Sequence, residues 1–291
     1  MNLISHTFSK NAKKSMVILL LSAIVISLFP HTSGYAASIR LNKKTASVPV
    51  GKSIRLSVSG TKKSVKWSSS DYSVAKVSNG KVTGKKPGKA IITAKVAGKT
   101  LKCTIKVKYN ADVAEKKIQM KKQELNEGLL LCYTNRNAYP VSIVTNVQYR
   151  DSKKTVLSET EEHNFCLEPG RKTWMYFPKP VDDSYNYMKY QDYKINMVSG
   201  ASKYKGYTKD ITQWCQPDKI TMDMTAYNYS GKTLTAAKIS CLLYNNKNQI
   251  IGYVSYYPSC LKKGSHCEEM VNYPAYCQSP AKVESYVDYA Y

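Results

Sequence analysis

Three short segments in the first third of the chain alternate apolar and polar residues with a period of two. They cover residues 65–71, 74–83 and 87–94. Asn79-Gly80 interrupts the second segment, and Pro87-Gly88 opens the third. A period of two is typical of strands with one buried face, and both dipeptides are typical of tight turns. The pattern therefore predicts short strands joined by turns in an antiparallel β-sandwich.

The order of the motifs in this region resembles that of a known family. WSSS begins at Trp67, VAKV at Val74, GKVT at Gly80 and PGKAII at Pro87. Together they resemble the bacterial immunoglobulin-like domain of group 2, over residues 38–108. The resemblance implies a surface spacer or binding module without catalytic activity. It also implies that Trp67 lies in the sandwich core, the alternative being a platform on which a sugar stacks.

A segment typical of an export signal precedes this sandwich. Three lysines between positions 10 and 14 come before the apolar run 16–29, and small residues follow at 33–37. The run has about fourteen residues, fewer than the ~20 that cross a bilayer comfortably, which disfavours an uncleaved anchor. We expect residues 1–37 to be removed, leaving a secreted or cell-surface protein with no integral membrane span.

The positive charge is concentrated in the predicted sandwich. The formal net charge of the chain is +24, of which residues 38–108 contribute +17, with Asp71 as their only acid. Residues 109–291 contribute only +4. Such a module should attract polyanions with an affinity that falls as salt screens the charges. The alternative is that the lysines only keep a small exported domain soluble.

The expected partner is an anionic cell-wall polymer or a glycan, with a host or cell-surface protein as a further candidate. Nucleic acid is not expected, because Trp67 and Tyr72 are the only aromatic residues of the basic module before Tyr109. The candidate cationic contacts are Lys62, Lys63, Lys66, Lys85, Lys86 and Lys89.

The second half of the chain repeats itself at a spacing near 95 residues. The motif CLEPG at Cys166 matches CLKKG at Cys260, and the motif YQDY at Tyr190 matches YVDY at Tyr286. A repeat of this length indicates a duplicated domain rather than a solenoid unit. Both copies contain β-rich runs broken by polar turns.

We therefore predict an all-β chain with two tandem, duplicated sandwiches, at residues 127–199 and 213–291. A linker that is helical in part, at residues 109–126, joins them to the immunoglobulin-like module. The repeats also resemble FxLYD-type sandwich domains of exported bacterial proteins. Leu243-Tyr-Asn245 approximates their signature, and Gln148-Tyr-Arg150 departs from it.

The chain contains eight cysteines, seven of them in the duplicated half. Cys103 lies on an alternating apolar segment and is expected to be a buried thiol. Export permits disulfides, and we expect Cys132 to pair with Cys166, and Cys277 to pair with either Cys241 or Cys260. The competing interpretation is a zinc site, with these possible ligands: Cys260, His266, Cys267 and Cys277. Their spacing lacks a paired metal-binding pattern, so neither a metal nor a cofactor is expected.

Candidate catalytic and aromatic contacts also fall in the duplicated half. His163 near Cys166 and His266 beside Cys267 are the possible base–nucleophile pairs, but neighbours on a strand point to opposite faces. The 24 tyrosines of the chain either pack within strands or form a recognition surface. The candidate contacts among them are Tyr187, Tyr190, Tyr256 and Tyr257. We expect a non-catalytic binding or adhesion protein; the alternative is an enzyme, or an accessory subunit of a wall-acting enzyme, with its site in this half.

Overall fold

The structure is a computed structural model that describes residues 38–259, 261–274, 277 and 279–291. These residues form three β-sheet units, which confirms the all-β class. The predicted export signal at residues 1–37 lies outside the described residues.

The first unit is a sandwich of nine short strands. They are β1 (Arg40–Leu41), β2 (Thr45–Pro49), β3 (Ser53–Arg55), β4 (Val58–Ser59), β5 (Lys66–Ser69), β6 (Ala75–Ser78), β7 (Lys81–Gly84), β8 (Gly88–Val96) and β9 (Lys99–Lys108). One sheet has the order β2-β9-β8-β5, the other the order β3-β7-β6, and β1 pairs with β4. Alternate residues such as Val82, Ile92 and Ile105 fill the core between the two sheets.

One local prediction for this unit is confirmed, and a second is confirmed in part. Cys103 is completely buried, and Trp67 packs against the core as a half-buried residue. The turn between β6 and β7 requires glycine, because Gly80 has a positive φ of 78° and a Cβ there would overlap the Leu56 carbonyl oxygen.

The connection to the second unit contains a shorter helix than the sequence predicts. Helix α1 covers only Ala111–Glu115, and Ile118–Leu125 form strand β10. Only the first and last residues of β10 are buried, so the strand has no alternating pattern of its own. Pairing with the apolar strand β11, from Ile118 opposite Asn135 to Leu125 opposite Gly128, holds it in the sheet. The second unit therefore begins at about Ile118.

The second and third units each contain six strands. Those of the second unit are β10, β11 (Gly128–Asn135), β12 (Val141–Arg150), β13 (Val156–Leu167), β14 (Lys172–Pro178) and β15 (Asp192–Ala201). After a 3-10 turn at Thr208–Asp210, those of the third unit are β16 (Ile211–Pro217), β17 (Thr221–Asn228), β18 (Ala237–Tyr244), β19 (Ile250–Tyr256), β20 (His266–Asn272) and β21 (Lys282–Ala290). In both units the first, second and fifth strands form one sheet, and the fourth, third and sixth form the other.

A buried asparagine ends the second strand of each unit and ties down the adjacent loops. Asn135 Nδ2 donates to the Leu167 carbonyl oxygen over 2.8 Å. Asn228 Nδ2 donates to the Leu261 carbonyl oxygen over 3.0 Å. Leu167 and Leu261 follow the matched cysteines of the two copies. The common strand order and these hydrogen bonds agree with a duplication, which stays a prediction.

The matched tyrosine motifs, YQDY and YVDY, do not occupy equivalent positions in the second and third units. Tyr193 lies opposite Tyr149 near the beginning of β15. Tyr289 lies opposite Lys238 near the end of β21. The two tyrosines therefore occupy opposite ends of the sixth strand, because strand register rather than motif spacing determines their places.

The second and third units stack sheet against sheet. Each central strand, β11 and β18, is buried along almost its whole length. One face of each strand enters the core of its own unit, and the other face contacts the neighbouring unit, where Leu130 and Leu242 belong to one apolar cluster with Tyr253 and Trp174. This double coverage explains why β11 and the second half of β18 are apolar on both faces.

Candidate functional site: a cationic sheet face

The exposed face of the sheet β2-β9-β8-β5 carries a dense group of lysines. Alternation along β5, β8 and β9 directs the apolar residues into the core and the intervening residues to solvent. We call the resulting group the cationic face, and it consists of Lys66, Lys89, Lys95, Lys102, Lys106 and Lys108.

Two pairs of these lysines lie directly opposite each other on neighbouring strands. Lys66 of β5 is opposite Lys95 of β8, and Lys89 of β8 is opposite Lys106 of β9. Directly opposed residues of an antiparallel pair have Cβ atoms about 4.5–5.5 Å apart, and like charges there are destabilising. The sheet therefore holds its ammonium groups close together at a cost to folding.

The described residues of the first unit supply almost no compensating charge. None of the ion pairs among the described residues involves this unit. Its acid, Asp71, accepts hydrogen bonds from the hydroxyl and amide of Ser73 and from the amide of Val74, and these bonds, chiefly the one from the Ser73 hydroxyl, hold its pKa below the ordinary value. The Asp71 carboxylate is thus already engaged in hydrogen bonds within its own turn.

The sequence located only part of the cationic face. Lys66 and Lys89 lie on it, whereas Lys62 and Lys63 precede β5, and Lys85 and Lys86 lie in the connection between β7 and β8. The members that sequence reasoning missed are Lys95, Lys102, Lys106 and Lys108. The alternation of residues 101–107, used to predict a buried Cys103, also places Lys102, Lys106 and Lys108 on the opposite face.

The Lys95→Glu substitution is expected to stabilise the first unit by roughly 0.5–1 kcal/mol. It replaces a repulsive pair with Lys66 by an attractive one on neighbouring strands. Urea unfolding followed by Trp67 fluorescence measures the change. The Lys95→Gln variant, which only removes the repulsion, should gain less. A Lys95→Glu protein less stable than the wild type would contradict the repulsion argument.

The candidate tyrosines do not form one surface. Tyr187 and Tyr257 are 53% and 58% exposed. Tyr190 is half-buried and its ring meets that of Tyr149 edge to face at 4.9 Å. Tyr256 is buried in the core of the third unit, which corrects its assignment as a ligand contact. The reason is strand alternation at the end of β19, which turns Tyr256 inward and Tyr257 outward.

The cysteine pairs expected from sequence are not joined in the structure. Cys132 lies on the side of β11 that faces the third unit, and burial raises its pKa to about 11. Cys166 Sγ instead donates to the Tyr204 carbonyl oxygen over 3.5 Å. Cys277 Sγ donates to the Ile251 carbonyl oxygen over 2.9 Å, and Cys260 lies outside the described residues. The nearest thiol partner of Cys241 is one that the sequence did not suggest, Cys215, with 3.7 Å between the sulfur atoms.

The possible catalytic pairs point to other neighbours. His163 Nε2 lies 2.9 Å from Glu161 Oε1 and its ring stacks on Phe165. The His266 ring stacks on Tyr227 at 5.0 Å. Within the described residues, no group of three or more acidic, histidine or cysteine side chains has the geometry to hold a metal ion.

A comparison with known families identifies the first unit. Residues 36–107 match the bacterial Ig-like domain (group 2). The match confirms the resemblance seen in the sequence, and we call the first unit the Ig-like module from here on. A search of curated proteins found no match to the chain. In the part of the chain that the structure describes, no helix has the length and apolar character to span a membrane.

Proposed function

We propose that the chain is an exported, non-catalytic binding protein whose Ig-like module attaches it to an anionic polymer at the cell surface. The family match supports a surface or adhesion-type module. The choice of an anionic polymer as the partner rests on two pairs of directly opposed lysines, Lys66 with Lys95 and Lys89 with Lys106.

The spacing of the cationic face suits a linear polyanion. Neighbouring strands are about 4.8 Å apart, and residues two apart on one strand are separated by about 6.8 Å. Lys89 and Lys95 on β8 are therefore roughly 20 Å apart. Because the face lacks acidic groups, a chain of sulfates, phosphates or carboxylates can cross it and relieve the repulsion between the lysines.

We propose a non-catalytic role because the Ig-like module is a surface or adhesion-type module. The second and third units act in this proposal as a stacked body that the module holds at the surface. The buried central strand of each unit, β11 or β18, contacts the other unit. The two units therefore form one packed pair rather than two freely moving domains.

The full-length mature chain should bind polyanions with a strong dependence on salt. The probes are heparin, as a sulfated glycan, and polyphosphate, as a phosphate polymer, with uncharged dextran as the control. We expect the affinity for the preferred probe to fall about tenfold or more between 20 mM and 150 mM salt, because the Debye length shortens from roughly 20 Å to 8 Å. Calorimetry or biolayer interferometry measures the affinity. The proposal fails if neither probe binds at low salt, or if binding ignores salt.

A further inference from the structure

The core of the third unit brings two cysteines together from opposite sheets. Cys215 lies on β16 and Cys241 on the central strand β18 of the other sheet. Their sulfur atoms are 3.7 Å apart, and the Met224 sulfur lies 3.1 Å from that of Cys215. Cys241 is buried, and Cys215 is half-buried at the edge of the same core.

We propose that Cys215 and Cys241 form a disulfide that links the two sheets of the third unit. The inference is independent of the polyanion proposal, because it concerns a different unit and a different chemistry. It identifies a modification site that pairs Cys241 with a partner other than Cys277, the one expected from the sequence.

The local geometry allows the bond to close. A disulfide has a sulfur–sulfur distance of about 2.05 Å, so the two sulfur atoms must approach by a further ~1.7 Å. β16 is an edge strand that pairs only with β17 within its sheet, and Cys215 is two residues from the end of that strand. Side-chain rotation and a small displacement of this strand end can supply the approach without disturbing β18.

The two thiols have complementary roles in the reaction. Hydrogen bonding with Cys241 lowers the pKa of Cys215, and the same contact raises the pKa of Cys241. Cys215 is therefore the attacking thiol, because it is the more accessible of the two and the more readily deprotonated. It attacks a small disulfide donor, giving a mixed disulfide and one free thiol. Cys241 then displaces the second small thiol from Cys215, so the two protein thiols are oxidised, the donor is reduced, and both protons leave with the released thiols.

The test uses the full-length chain incubated with oxidised glutathione and then alkylated and digested without reduction. We expect a peptide pair joined through Cys215 and Cys241, lighter than the two reduced peptides by two hydrogen atoms. We also expect oxidation to raise the midpoint of thermal unfolding of the third unit by roughly 5–15 °C, because the link closes a loop of 26 residues in the unfolded chain.

Two variants separate this link from general thiol oxidation. Cys215→Ala should lose both the linked peptide and the thermal shift, whereas Cys103→Ala, which removes a buried thiol from the Ig-like module, should keep both. Complete alkylation of Cys215 and Cys241 after oxidation, or a link from Cys241 to Cys277, would overturn the proposal. The peptide map of the wild-type chain decides the question even if a variant fails to fold.

Discussion

Replacing Asp288 with alanine is expected to lower the free energy of unfolding of the second and third units by roughly 3–5 kcal/mol. Asp288 is completely buried where these units meet. Its Oδ1 accepts a hydrogen bond from the Trp174 amide of the second unit over 2.8 Å, and its Oδ2 accepts one from the Ser240 hydroxyl. Alanine would leave both donors without this acceptor in a site closed to water.

The same substitution would also remove a negative charge near Lys238. The Lys238 side chain is 4% exposed, and its Nζ lies 3.1 Å from Glu162 Oε2 of the second unit. Burial alone lowers the pKa of Lys238, but nearby Tyr253, Asp288 and Glu162 more than offset burial and raise it. The network therefore joins the two units through charges that depend on one another.

Unfolding in urea measures the loss, and Glu161→Ala is the matched control. Glu161 neighbours Glu162 on β13 but is about half exposed, so its removal should cost less than ~1 kcal/mol. Equal losses for the two variants would show that the buried network contributes no more than a surface ion pair.

The stability should also change with pH in a direction that identifies Asp288. Burial raises its pKa to about 6, above the ordinary value of 3.8. Because the folded pKa is the higher one, the folded state holds the proton more tightly than the unfolded state. This contribution is fully present below about pH 4 and is lost as the pH rises through 6. Relative to Asp288→Asn, the wild type should lose stability over this window, and a gain would contradict the assignment.

Replacing Lys66, Lys89, Lys95 and Lys106 together with glutamine should weaken heparin binding by roughly 500- to 1000-fold at low salt. A cation near an anionic surface contributes on the order of 1 kcal/mol, and every ~1.4 kcal/mol is a factor of ten in affinity. The salt dependence should become correspondingly shallow. Because the substitutions remove both opposed pairs, the Ig-like module should remain folded and become slightly more stable.

The matched control removes the same charge from elsewhere in the Ig-like module. Its four substitutions are Lys52→Gln, Lys62→Gln, Lys76→Gln and Lys85→Gln, at exposed positions outside the cationic face. Binding assays with heparin compare the two proteins at one salt concentration. The control should lose about tenfold or less. If both proteins lose the same affinity, net charge rather than the cationic face governs binding.

The sequence by itself determined the fold of the Ig-like module and its charge. Short alternating segments between Asn-Gly and Pro-Gly turns specify strands through local interactions, so the strands at residues 66–96 and the burial of Cys103 followed directly. The lysine excess is a property of composition and needs no structure.

Only the tertiary structure decided which residues meet. Lys66 faces Lys95 and Cys215 faces Cys241, and the mostly polar β10 is a strand because it pairs with the apolar strand β11. The stacking of the second unit on the third likewise buries Asp288, although a charged residue is ordinarily expected at the surface. Strand register and sheet stacking result from many long-range contacts acting together, and a period-two pattern is the same whichever strands lie beside it.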